Sequence, residues 1–132
     1  MTDAHTLTDL QLAVMRVLWD RGDSTVTDVV EGLLPERPLA LTTVATVLSR
    51  LEKRKIVVHR TEGRQYVYRA RVTEKDVRRS MVSQLTDMLF DGSPTALISH
   101  LLASRDIDAR SLDEVKRLIE DEERKGGKGD AR

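Results

Sequence analysis

Five side chains able to contact a nucleic-acid base lie close together: Thr42, Thr43, Thr46, Ser49 and Arg50. Five cations follow them, Lys53, Arg54, Lys55, Arg60 and Arg64. A hydroxyl offers a donor and an acceptor, threonine adds a methyl group, and a guanidinium offers paired donors in a fixed fork. Such groups suit the edges of base pairs in a major groove, whereas ammonium and guanidinium groups neutralise phosphate oxygens. The first set is therefore the candidate for base reading and the second for phosphate contact, with double-stranded DNA as the partner.

A helix must carry the first set. Val44, Val47, Leu48 and Leu51 recur at i, i+3, i+4 and i+7, the stripe of an amphipathic helix, predicted over 42–53. With Val44 at the centre of the buried side and about 100 degrees per residue, Thr42, Thr46, Ser49 and Lys53 fall opposite it. Thr43 and Arg50 lie on one shoulder and Ala45 on the other. Threonine is a poor choice for a helix surface on propensity alone, so its enrichment favours contact over simple solvation. After Lys55 the period changes. Ile56-Val-Val-His-Arg60 and Gln65-Tyr-Val-Tyr-Arg69 flank Glu62-Gly63-Arg64, which predicts two strands and a short turn. Tyr66 and Tyr68 alternate with Val67, so one side of the strand packs inward. An aromatic content of 3% provides no open platform for single strands.

Upstream, Thr8-Asp-Leu-Gln11 has the form of a capping box and predicts a helix to about Asp20, with Leu10, Val14, Val17 and Leu18 inward and Trp19 as an anchor. Ser24-Thr25-Val26 reads as a short edge strand, Thr27 as the cap of a second helix over 28–34 with Val29, Val30, Leu33 and Leu34 inward, and Pro35-Glu-Arg-Pro38 as a rigid turn. Helix, strand, helix, turn, helix and hairpin is the winged helix-turn-helix order. The fold class is thus mainly α with a small β part (α+β), and residues 1–72 form the DNA-binding domain.

Downstream, Thr73, Ser93-Pro94 and Ser111-Leu-Asp-Glu114 each open a helix. Their apolar stripes are Val77, Met81, Leu85, Met88 and Leu89, then Leu97, Ile98, Leu101 and Leu102, then Leu112, Val115, Leu118 and Ile119. Three helices of this size do not bury three stripes alone. A three-helix dimerisation domain over 73–125, covered by a second copy, is expected; folding back on the first domain is the alternative. Residues 126–132 read as a disordered tail.

The 132 residues sum to zero charge, but unevenly. Residues 1–49 hold three Arg against seven Asp and Glu, residues 50–71 eight Lys and Arg against Glu52 and Glu62, and residues 72–132 eleven against thirteen. Local charge is what a phosphate backbone meets, and the basic block coincides with the helix end and the hairpin. Cysteine is absent, which removes disulfides, thiolate catalysis and cysteine zinc sites. His5, His59 and His100 have no ligand spacing, and there is no P-loop, dinucleotide glycine motif, GxSxG or HExxH. Glu120 to Glu123 read as a solvated helix end. No enzyme, cofactor or metal is therefore expected. No apolar run approaches the roughly 18 residues of a membrane span, and the polar N-terminus is unlike a signal peptide, so a cytoplasmic protein that does not bind membranes is expected.

Leu10-Gln-Leu-Ala-Val-Met-Arg-Val-Leu-Trp19, Thr43-Val-Ala-Thr-Val-Leu-Ser-Arg-Leu51 and the Lys53-Arg-Lys55 step into the hairpin resemble the penicillinase and methicillin-resistance repressor family. The resemblance covers nearly the whole chain, by motif at the N-terminal end and by pattern at the C-terminal end. It implies a homodimeric transcriptional repressor on a palindromic operator. In well-known members a membrane-bound sensor peptidase triggers cleavage at an Asn-Phe bond in the dimerisation domain; the nearest equivalent here is His100-Leu101, a departure from that pattern. A copper-responsive branch carries C-terminal cysteines, which this chain lacks. Two other readings remain open: a winged-helix module that binds protein through its third helix, and a regulator with a ligand pocket between its C-terminal helices.

Overall fold

A computed structural model describes residues 5–104 and 107–129. Its elements are α1 (Asp9–Arg21), β1 (Ser24–Thr25), α2 (Val26–Leu33), α3 (Leu41–Lys53), β2 (Val57–Glu62), β3 (Gln65–Ala70), α4 (Glu74–Phe90), α5 (Pro94–Ala103) and α6 (Ala109–Gly129). The three strands form one antiparallel sheet in the order β1-β3-β2. Ser24 pairs with Tyr68, and Val57 with Ala70 through to Glu62 with Gln65. Gly63, at φ 62, opens the two-residue loop, where a side chain would be strained. This is a winged helix with a three-stranded wing.

Local sequence explains most helix starts. In α1 the Gln11 N–H donates to Thr8 Oγ1 at 3.2 Å and the Thr8 N–H to Gln11 Oε1 at 3.0 Å. Thr73 and Asp76 exchange the same pair of bonds ahead of α4, at 3.0 and 3.2 Å. The bond from the Thr73 backbone N–H holds the Asp76 carboxyl below its usual range. Ser93 caps α5 with Pro94 at its first turn. Two starts differ from expectation. Helix α2 is capped by Thr25, which exchanges bonds of 3.0 and 3.1 Å with Asp28, so Thr27 lies inside the helix. The three-residue spacing to an acid belongs to Thr25, whereas Thr27 has Val30 at that place. Helix α6 starts at Ala109, with Asp108 accepting from the Ser111 N–H at 2.9 Å. That bond also depresses the Asp108 carboxyl.

Leu34, expected inward, is 49% exposed. It ends α2 in an extended conformation and leaves the helical phase. Helical backbone also continues through residues 126–129, where a disordered tail was expected. Extending an existing helix needs no new nucleus, so it runs on despite the glycines. Residues 130–132 of that tail lie outside the described residues.

The chain divides into two compact units, Met1–Leu85 and Thr86–Arg132. The core of the first joins Val14, Met15, Val17 and Leu18 of α1, Val29 and Leu33 of α2, and Val44, Val47, Leu48 and Leu51 of α3 with Ile56, Val57 and Tyr68 of the wing. Leu7 and Val77 complete it, and Trp19 Nε1–H donates to the Val72 carbonyl at 2.9 Å. The first turns of α4 thus belong to this unit, beyond the boundary expected at Val72. Gly32 lies where α2 crosses α1: a Cβ there would meet Val17 Cγ1 at 2.5 Å.

Candidate nucleic-acid interface

Helix α3 buries Val44, Val47, Leu48 and Leu51. The opposite side follows from that choice: Thr42, Thr43, Thr46, Ser49 and Arg50 are all exposed, as is Lys53. Thr46 Oγ1–H donates to the Thr42 carbonyl at 3.0 Å, so outward it presents a methyl and acceptor lone pairs. The helix ends in a Schellman turn. Lys55 takes φ 65, its N–H donates to the Glu52 carbonyl at 2.9 Å, and the Ile56 N–H reaches the Leu51 carbonyl at 3.0 Å. With Ile56 only 1% exposed, this turn delivers the chain into the wing.

The expected phosphate cations separate into two groups. Lys53, Lys55 and Arg64 are exposed and, like Arg50, have no carboxylate oxygen within 4.0 Å among the described residues. Arg60 and Arg54 are bound within the protein instead. Arg60 NH1 donates to Asp23 at 2.5 Å and its Nε to Glu62 at 2.6 Å, and the bond to Asp23, then that to Glu62, raises its already high pKa. Arg54 NH2 donates to the Thr6 carbonyl at 2.7 Å and NH1 to Gln11 Oε1 at 3.3 Å. One ties the wing to the loop after α1; the other ties the end of α3 to the α1 N-terminus. Asp23, Thr6 and Gln11 are all distant in sequence, which is why local pattern assigned these arginines to DNA.

His59 also has a partner that its spacing did not reveal. Its Nδ1 lies 2.8 and 2.7 Å from the two carboxylate oxygens of Glu52, and its ring stacks on Tyr66 at 3.9 Å. Burial, with Glu52 and Tyr66 adding to it, pushes the Tyr68 phenol up. Among the described residues no group of three or more His, Cys, Asp or Glu could hold a metal ion. Between α3 and the wing runs a groove of about 710 Å³, lined by Thr42 and Ala45 on one side and by Arg64, Gln65 and Tyr66 on the other. Thr25 and Thr27 lie along it, and no carboxylate lines it.

An exposed hydroxyl-rich helix beside a basic wing is a surface for duplex DNA, and the sequence carrying it has relatives. Residues 7–121 match the family model described as penicillinase repressor. The chain belongs to the penicillinase repressor family. It is 36% identical over 122 residues to the transcriptional regulator BlaI of Mycobacterium tuberculosis, covering 90% of this chain and 86% of that one. It is 23% identical over 115 residues to the penicillinase repressor of Bacillus licheniformis, covering 87% and 90%. Among solved structures it is similar to the monomeric form of Bacillus licheniformis BlaI in complex with the blaP half-operator, at 31% identity and TM-score 0.47, covering 54% of this chain and 87% of that one. Members of the family are DNA-binding transcriptional repressors and not enzymes, and this chain is one of them.

The C-terminal side chains of this repressor are placed differently from one another. Val77 is 2% exposed in the first unit's core and Met81 packs partly buried against it, so neither stands on a free face. Leu85 is exposed, as are Met88, Leu89, Ile98, Leu101, Leu102, Leu112, Leu118 and Ile119. Leu97 and Val115 are half-buried. Among the described residues no hydrophobic side chain after Val77 is buried. His100 and Leu101 lie in the helical, exposed end of α5, with the His100 ring 5.7 Å from that of Phe90. No described helix is long and apolar enough to cross a membrane.

Proposed function

We propose that this repressor binds a palindromic operator as a homodimer, each copy placing α3 in a major groove and the wing beside it. Thr42, Thr43, Thr46, Ser49 and Arg50 then read bases, while Lys53, Lys55 and Arg64 hold phosphates. The observation that carries this is the exposed face of α3 next to Lys53, Lys55 and Arg64, which have no carboxylate oxygen within 4.0 Å among the described residues. One strand of a duplex separates the major groove from the next minor groove, so a helix in one and a wing at the other must have backbone between them. The groove between α3 and the wing, free of carboxylates, suits that strand.

The dimer reading rests on the second unit. Met88, Leu89, Leu118 and Ile119 are each more than half exposed, and folded chains seldom leave so many large apolar side chains in water. A two-fold pairing that buries them also sets two copies of α3 one or more turns apart on the DNA. Cleavage in α5 near His100-Leu101, by a sensor peptidase at the membrane, would split the pairing unit and release a cytoplasmic repressor. Losing one of two linked contacts lowers apparent affinity by about 10²–10⁴.

Sedimentation and a gel shift on a duplex selected from a random pool test both parts. A dimer at micromolar concentration that retards a palindrome is expected, and Leu118→Asp should give a folded monomer. A wild-type monomer would remove the dimer. A chain retarding no duplex at low salt would return α3 to the protein-binding reading.

A further inference from the structure

We infer that Glu52 and His59 are positioning residues that lock the wing to the reading helix; this rests on the DNA-binding reading above. Glu52 and Glu62 are the two carboxylates in the basic block over 50–71. Glu62 is held by Arg60 on the wing itself. Glu52 sits in the last turn of α3, where a negative charge opposes phosphate binding, and needs a reason to be there.

The reason lies in how the wing is attached. A two-stranded ribbon has little stability of its own, and β1 supports this one through only two residue pairs, at Val67 and Tyr68. Side chains alternate along β2, so His59 and Arg60 leave on opposite faces. Arg60 reaches Asp23 at 2.5 Å. His59 reaches both oxygens of Glu52 at 2.7 and 2.8 Å through Nδ1, and Tyr66 stacks on the face of its ring. The ribbon is thus held from both faces, and one of the two ties comes from α3 itself. Arg64 stands across the turn from Gly63, which lies four residues beyond His59 along the strand, about 13 Å at roughly 3.3 Å per residue. A tilt of about 10 degrees at His59 then moves Arg64 by about 2 Å, enough to break a phosphate hydrogen bond. The tie therefore fixes the distance between the bases read by α3 and the phosphate held by the wing.

Electrostatics and positioning predict opposite signs. If Glu52 is merely a like charge near DNA, removing it tightens binding. If it holds His59, removing it weakens binding although a negative charge has gone. The assay is anisotropy of the full chain on the duplex that the wild type selects from a random pool. Glu52→Ala and His59→Ala are each expected to lose about tenfold per half-site at about 50 mM salt, the contribution of one phosphate contact. In an Arg64→Ala background His59→Ala should cost less than about twofold more, because the contact it positions is already absent. His59→Asn, which keeps a donor near Nδ1, should recover part of the loss and keeps the test open if His59→Ala melts too low. Tighter or unchanged binding by Glu52→Ala, or fully additive losses with Arg64→Ala, overturns the assignment. A wild-type chain that selects no duplex would instead overturn the DNA-binding reading beneath it.

Discussion

Replacing Arg64 or Arg60 by alanine removes the same charge from the same hairpin, four residues apart, yet the two should behave differently. Arg64 stands at the loop with no carboxylate within 4.0 Å among the described residues, whereas Arg60 is bound by Asp23 at 2.5 Å and Glu62 at 2.6 Å. Each phosphate neutralised contributes about 0.9 to the slope of log affinity against log salt. Arg64→Ala should lower that slope by about 0.9 per half-site, or about 1.8 in the proposed dimer. Between about 50 and 200 mM salt the ratio of wild-type to variant affinity then shrinks by about 12-fold. Arg60→Ala should lower the slope by much less. It loosens the wing, which weakens binding at every salt concentration, and the two carboxylates it frees add only a screened repulsion in place of a lost phosphate contact. Anisotropy on the selected duplex across that range separates the two cases. An equal fall in slope for Arg60→Ala would show that its ion pairs open on DNA, and the division of the cations argued above would be wrong.

Thr46→Ala should cost about 1–3 kcal/mol of discrimination at one base-pair position in each half-site while leaving non-specific binding unchanged, read by competition with single-substitution duplexes. Lys55→Gly should raise the melting temperature and weaken DNA binding together: it relieves a side chain held at φ 65, worth up to about 1 kcal/mol, and removes an exposed cation. Gly32→Ala should destabilise the fold in denaturant titration although alanine is the better helix former by about 1 kcal/mol. The new Cβ would lie 2.5 Å from Val17 Cγ1, and overpacking of that kind costs about 1–3 kcal/mol.

What could be read from sequence was what depends on neighbours in sequence. The Thr8–Gln11 and Thr73–Asp76 caps span three residues, and the stripe from Val44 to Leu51 repeats within one helix. These determined the order of elements and the exposed side of α3. Even the misplaced cap of α2 was locally legible, since Thr25 and not Thr27 has an acid three residues on. What could not be read was the assignment of charges. Arg60 meets Asp23 across 37 residues and Arg54 meets Thr6 across 48. A basic residue near a hairpin looks the same in sequence whether it faces a phosphate or a distant aspartate. Val77 shows the same limit for burial: its helical stripe is real, but the core it joins is made by residues from Leu7 to Tyr68.

The two halves of the proposed mechanism constrain one another. Arg54 and Arg60 are held within the reading domain, so each copy offers phosphate fewer cations than its basic block contains. A single copy on a half-site therefore releases fewer counterions than that block suggests, and its affinity is salt-sensitive. In the proposed dimer the second unit would join two such sites, so that binding of the second becomes intramolecular. Linkage is reciprocal: whatever factor dimerisation adds to operator affinity, the operator adds to dimer affinity. A cut or a substitution among Met88, Ile98, Leu118 and Ile119 then releases DNA without touching a residue that contacts it. For the same reason, strengthening α3's own contacts would blunt the switch, since a monomer that held its half-site alone would no longer respond to loss of its partner.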